Sequence, residues 1–79
     1  MSLVTPIAVY LATHPGVELT GAQIESIWGA PRNNIRNTMA YAEEKGWVII
    51  TMRQNPRYPK RRKIRFYSAG PRLLQEIAR

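Results

Sequence analysis

Neither cysteine nor aspartate occurs in the 79 residues, and His14 is the only histidine. Without cysteine there is no disulfide staple, no thiolate zinc site and no cysteine nucleophile. A lone histidine beside Pro15 makes no metal centre. The five acids are all glutamates and are scattered, so nothing pairs as general acid and base. No Gly-rich phosphate loop is present. An enzyme is therefore not expected, nor a cofactor. Positive charge is also missing from the first part of the chain: no Lys or Arg precedes Arg32, and the first 17 residues carry no charged side chain. A secretory signal needs a basic start and an unbroken apolar stretch. Here Thr5, Pro6, Tyr10, Thr13 and His14 interrupt a stretch that is in any case too short to span a bilayer. The expectation is a soluble intracellular protein with no membrane partner, cytoplasmic and nucleoid-associated in a bacterium or phage, nuclear in a eukaryote.

What is present is enough for one small domain covering residues 1–79. Hydrophobic residues make up 44% of the chain, which supports one modest core and argues against wholesale disorder. The net charge is +7, and its placement tells more than its size. Arg53, Arg57, Lys60, Arg61, Arg62, Lys63 and Arg65 fall in a thirteen-residue stretch that contains no acid. A one-sided basic field of this kind attracts a polyanion, with nucleic acid the first candidate and an anionic membrane surface the second. A membrane contact normally adds an apolar anchor that is lacking here.

Local signals give helices first and strands later. Thr5-Pro6 can cap and open a first helix. Leu3, Ile7, Tyr10 and Leu11 supply its apolar face, and His14-Pro15-Gly16 ends it. Val17-Glu18-Leu19 alternates like a very short strand. Thr20 and Gln23 have the spacing of a capping box, with Leu19 and Ile24 as the accompanying hydrophobic staple. They open a second helix over Gly21–Trp28 that is expected to bury Ile24, Ile27 and Trp28. After Gly29-Ala30 a third helix spans 31–45, opened by Pro31 and closed at Gly46. Ile35, Met39 and Ala42 form its buried face, with Thr38 at the edge. Trp28 and Trp47 read as core residues, Trp47 packing back on Tyr41 or Ala42. Trp47–Arg53 and Ile64–Ser68 are β-like, with Ile64 and Phe66 on one face and Arg65 and Tyr67 on the other. Two prolines in the intervening segment exclude a two-residue turn and predict a long, extended loop. Leu73, Leu74 and Ile77 mark a short closing helix.

Two short helices joined by a two-residue turn, a third helix ending in Glu43-Glu44-Lys45-Gly46-Trp47, and a basic hairpin together resemble the winged helix-turn-helix family. Bacterial regulators of the MarR and PadR type are similar over Thr20–Trp28, over Ile35–Val48 and at Tyr67-Ser68-Ala69-Gly70. The fold implied is α+β: a three-helix core, a two-to-three-stranded antiparallel wing and a short C-terminal helix. The resemblance implies sequence-specific binding of double-stranded DNA by a transcriptional regulator. The third helix (31–45) would lie in the major groove and the wing (53–65) on the backbone or minor groove. Ala30 stands where the family often has a Ser or Thr cap, and the wing is longer and more basic than usual. A chain this short has no room for the long dimerisation helices and ligand pocket of MarR-type regulators. No small-molecule effector is therefore expected, and a homodimer would form through the terminal helices.

Residue chemistry suits that assignment. Arg32, Asn33, Asn34, Arg36 and Asn37 are expected on the exposed face of the third helix, with Tyr41 between core edge and DNA. Arg bonds guanine O6 and N7 in bidentate fashion, and Asn does the same with adenine N6 and N7. Uncapped N–H groups after Ala30 offer a phosphate a further site. In the wing, Arg53, Arg57, Lys60, Arg61, Arg62, Lys63 and Arg65 can neutralise phosphates, and Tyr58 can donate to a phosphate or sugar. Lys60-Arg61-Arg62-Lys63 also passes as a nuclear localisation patch. The competing readings are a solvated polar face with a solubilising loop, an RNA-binding winged helix such as a ribosome-associated protein, and a protein-interaction module.

Overall fold

The computed structural model describes residues 3–58, 60 and 63–77, with the backbone alone given for Leu74, Glu76 and Ile77. These residues form four helices and a three-stranded antiparallel sheet in the order α1 (Val4–Thr13), β1 (Leu19–Thr20), α2 (Gly21–Trp28), α3 (Arg32–Glu44), β2 (Val48–Arg53), β3 (Ile64–Ala69) and α4 (Pro71–Ile77). Arg61 and Arg62 lie outside the described residues.

Helix α1 starts two residues earlier than Thr5-Pro6 suggests. Leu3 holds the cap position without a side-chain hydrogen bond, and Thr5 caps nothing. Pro6 falls at the third helical position, still within the first turn, where its missing N–H leaves no intrahelical bond unmade. Burial of Ile7 and Leu11, with Leu3 and Val4 packed beside them, sets the phase. The short strand is also shifted: it comprises Leu19 and Thr20, paired with Tyr67 and Phe66, because Leu19 must enter the core.

The capping box at α2 is complete. Thr20 Oγ1 accepts from the Gln23 N–H at 3.2 Å, and Gln23 Oε1 accepts from the Thr20 N–H at 2.9 Å. Of the expected apolar face only Ile24 is fully buried. Trp28 is half-buried, its ring edge-on to Tyr10 at 5.6 Å. Ile27 is 51% exposed, contrary to the sequence reading. A two-turn helix buries a narrow stripe, and the stripe leans toward Trp28, leaving Ile27 on the open flank.

Gly29 ends α2 in the left-handed conformation, φ 68°. Pro31 is the cap of α3 rather than its first helical residue, extended at ψ 148°, and its carbonyl accepts from the Ile35 N–H at 3.1 Å. The sequence points instead to Ala30 as this cap. No side chain caps α3 at its start. Ile35, Met39 and Ala42 are buried as the spacing predicts. At the far end Gly46, φ 78°, turns the chain, and Trp47 packs edge-on against Tyr41 with ring centres 6.0 Å apart.

The sheet order is β1-β3-β2, so the last strand lies between the other two. β2 and β3 pair in a continuous register from Val48↔Ala69 to Arg53↔Ile64. β2 begins at Val48, not Trp47, and β3 runs on to Ala69. Alternation along β3 puts Tyr67 on the core side and Phe66 on the other, where its ring lies against Arg53. In the connecting loop Asn55 forms a local turn, its Oδ1 accepting from Arg57 N–H and its carbonyl from Tyr58 N–H. That turn was not evident in a segment expected to be extended. An Asn side chain that mimics a backbone turn accounts for it.

One core cluster holds the elements together. Ile7 and Leu11 come from α1, Leu19 from β1, Ile24 from α2, and Ile35, Met39 and Ala42 from α3. Val48, Tyr67 and Leu73 add β2, β3 and α4. Every element therefore contributes at least one buried residue, and the hairpin base is fixed relative to α3 through Val48 and Tyr67.

Candidate nucleic-acid interface

The buried face of α3 determines what its other faces present. With Ile35, Met39 and Ala42 turned inward, Asn33 and Asn37 fall on the opposite side, four residues apart and both exposed. Arg32 and Arg36, also four apart, lie on the flank beside Ile35 and Met39. Asn34 and Tyr41 lie on the other flank, Tyr41 49% exposed. The ammonium of Lys45 stands 5.5 Å from the Tyr41 ring centre, a cation over an aromatic face. The acids Glu43 and Glu44 end the helix. The N-terminal half of α3 is thus cationic and amide-rich, and the C-terminal end is acidic.

Beside Arg32 and Arg36 a groove of about 670 Å³ separates α3 from the loop-proximal half of the hairpin. Arg32 and Arg36 reach it from α3, Arg65 from β3, and Lys63 from the residue before β3. Tyr67 and Ile35 also line it, and none of its lining residues is acidic. Cations more than 25 positions apart in sequence are therefore brought to one concavity. Crowding like charges raises the local positive potential, which an incoming anion relieves. One of these cations has an acidic neighbour: Glu25 Oε1 is 3.5 Å from Arg32 Nε, with both side chains about half exposed. Such a pair holds little energy and exchanges readily.

Arg53 is engaged elsewhere. Its guanidinium forms two parallel hydrogen bonds to the Glu18 carboxylate, at 2.9 and 2.8 Å, and lies over the Phe66 ring 4.9 Å from its centre. This cluster sits on the outer face of the sheet and ties β1 to the hairpin. Sequence alone grouped Arg53 with the hairpin cations; the structure gives it an intramolecular partner. Arg57, Tyr58, Lys60 and Lys63 are exposed, and Arg65 is half-buried. The predicted residues Arg61 and Arg62 fall outside the described part of the hairpin.

Tyr67 is the residue that sequence reasoning missed. Only 3% exposed, it lines the groove among the cations. Burial raises its hydroxyl pKa above the usual 10.0, while Arg65, Arg36 and Arg32 pull it back. The phenol remains a neutral donor at physiological pH. The signal for it was available, since Arg65 and Tyr67 share one face of β3 by simple alternation. What alternation does not give is which face meets α3.

No group of three or more metal-binding side chains occurs among the described residues. No helix among them is long and apolar enough to cross a membrane. Comparison of the chain with known protein families, with curated proteins and with solved structures finds no match.

Proposed function

We propose that this chain is a winged-helix domain that binds double-stranded DNA as a transcriptional regulator, with α3 in the major groove and the β2–β3 hairpin as the wing. The observation that carries the reading is the junction of two surfaces. The exposed Asn33 and Asn37 face of α3 adjoins a groove where Arg32, Arg36, Lys63 and Arg65 meet without an acid among its lining residues. The major groove of B-DNA admits a helix, and side-chain amides read adenine there. Recognition helices contact bases through their N-terminal residues. The distribution of charge agrees, since Glu43 and Glu44 would repel phosphates at the other end. The exposed hairpin cations Arg57, Lys60 and Lys63 would grip backbone. Duplex RNA is disfavoured as a target because its deep, narrow major groove excludes a helix, leaving the Asn face without a role.

The test is selection of a preferred duplex, followed by competition binding against scrambled DNA and duplex RNA over a salt series. Contacts to about 4 to 7 phosphates give a slope of log K against log salt of roughly −4 to −6. Asn33→Ala or Asn37→Ala should weaken the preferred site by about 1–3 kcal/mol and scrambled DNA much less. RNA bound as tightly as DNA, or no binding to duplex DNA at low salt, would overturn the proposal.

A further inference from the structure

We propose that the groove between α3 and the loop-proximal half of the hairpin is a seat for a single phosphate group, held by Arg36 and Arg65 with Arg32 and Lys63 at its rim and the Tyr67 hydroxyl as a neutral donor on its floor. The inference rests on the DNA-binding reading for the source of that phosphate, a backbone phosphodiester. It also divides the polar face of α3 into two parts with different tasks. Arg32 and Arg36 become backbone contacts, and base reading falls to the Asn residues.

Three observations converge. The first is the company Arg36 keeps: it lines the same groove as Arg65 and Lys63, with no carboxylate among the lining residues to neutralise them. Guanidinium groups bind phosphate oxygens in bidentate fashion, and two of them from separate elements can hold one phosphate from two directions. The second is Tyr67, a polar side chain 97% buried whose hydroxyl has no hydrogen-bond partner among the described residues. It is not one of the atoms sealed away from solvent without a partner. The small part of this residue left open therefore includes the hydroxyl, at the groove. A polar group brought this deep is normally paired, and here it lines a groove whose cations already favour an anion. The third is position on the helix. A side chain on the α3 flank beside buried Ile35 and Met39 faces the hairpin. A helix lying in the major groove meets the phosphate strands with its flanks and the base edges with its outermost face.

The experiment uses the full chain as wild type, Tyr67→Phe and Arg36→Ala. Affinity is measured for the preferred and a scrambled 20-base-pair duplex over a salt series. In parallel, amide resonances are followed during titration with inorganic phosphate, and with chloride at equal ionic strength. Tyr67→Phe keeps the buried ring, and a thermal melt confirms that each variant folds. Both variants are expected to weaken both duplexes by the same factor, about tenfold for a lost charge-assisted hydrogen bond. Arg36→Ala should reduce the salt slope by about 1, and Tyr67→Phe should leave it unchanged, because no charge is removed. Phosphate, and not chloride, should shift the resonances around Tyr67 and Arg36 in the wild type alone. Duplex binding unaffected by either substitution would sink the seat and leave the DNA reading standing. A loss for Arg36→Ala confined to the preferred site would make Arg36 a base reader and also sink it. Phosphate-specific shifts without duplex binding would keep the seat, assign it to a free phosphate-bearing ligand, and remove the DNA reading. Neither response would remove both.

Discussion

Gly70 lies against the carbonyl of Gly46 with no room for a side chain between the two chain segments. A Cβ at Gly70 would collide with Gly46 O and stand 2.7 Å from Trp47 C and 2.8 Å from Val48 N. The crossing is pinned by Gly70 N–H to Trp47 O at 2.7 Å and Arg72 N–H to Gly46 O at 3.0 Å. It joins the exit of α3 to the entry of α4 and so fixes where β2 and β3 begin and end. The two glycines serve for different reasons, one for space and one for its left-handed backbone. Because the clash at Gly70 is with backbone, which cannot swing aside, Gly70→Ala should destabilise by about 1–3 kcal/mol or more. Gly46→Ala should cost about 1–2 kcal/mol for its left-handed conformation, plus a displacement of the Arg72 side chain. Urea unfolding of the two variants checks both.

The stripe buried by α2 gives a contrast within one short segment. Thr20→Ala removes the capping box and should cost about 1 kcal/mol. Met39→Ala empties a fully buried position of α3 and should cost roughly 2–5 kcal/mol. Ile27→Ala should stay within about 0.5 kcal/mol, as expected for a surface position. A large loss at Ile27 in a denaturation series would mean that another surface covers it.

Arg53 should behave unlike its neighbours in the hairpin. Replacing it with Ala breaks the bidentate pair to Glu18 and the contact with Phe66, loosening β1, at a stability cost up to about 1 kcal/mol for a partly exposed pair. Because its charge is satisfied within the protein, the salt dependence of the proposed DNA binding should hardly change. Lys63→Ala and Arg65→Ala should each lower the slope by about 1. A slope change for Arg53→Ala equal to theirs would show that DNA displaces Glu18.

Tyr67 should leave a mark on stability at high pH. Its folded-state pKa is raised above the unfolded 10.0, first by burial and against the pull of Arg65, Arg36 and Arg32. Above pH 10.0 the unfolded chain therefore loses this proton before the folded chain does. Stability fully present below pH 10.0 declines as pH rises through the folded value. Tyr67→Phe removes that component, so the difference between wild type and variant should narrow or reverse from pH 9 to pH 11 in matched denaturation curves. A constant difference would mean that the phenol titrates alike in both states.

Helix positions and most strand limits were legible because they depend on neighbours a few residues away. Thr20 and Gln23 signal a helix start whatever surrounds them, and Ile35, Met39 and Ala42 mark a buried face by spacing alone. The errors came where the competing terms were tertiary. Thr5-Pro6 is a sound opening in isolation, yet burial of Leu3, Val4, Ile7 and Leu11 moves the start of α1. Ile27 has the right spacing for a core position, but a two-turn helix against this core has room for one flank only.

The candidate site divides in the same way. Which residues are cationic, and that Asn33 and Asn37 share a face, is determined by the sequence itself, since charge and helical period are local properties. That Arg32 and Arg36 meet Lys63 and Arg65 across a groove, that Arg53 is withdrawn onto Glu18, and that Tyr67 lies beneath the cations were decided by the tertiary structure. Each needs the register of β3 between β1 and β2 and the packing of α3 on the sheet. Those arrangements are set by one shared core, to which every element contributes and no single segment holds the key.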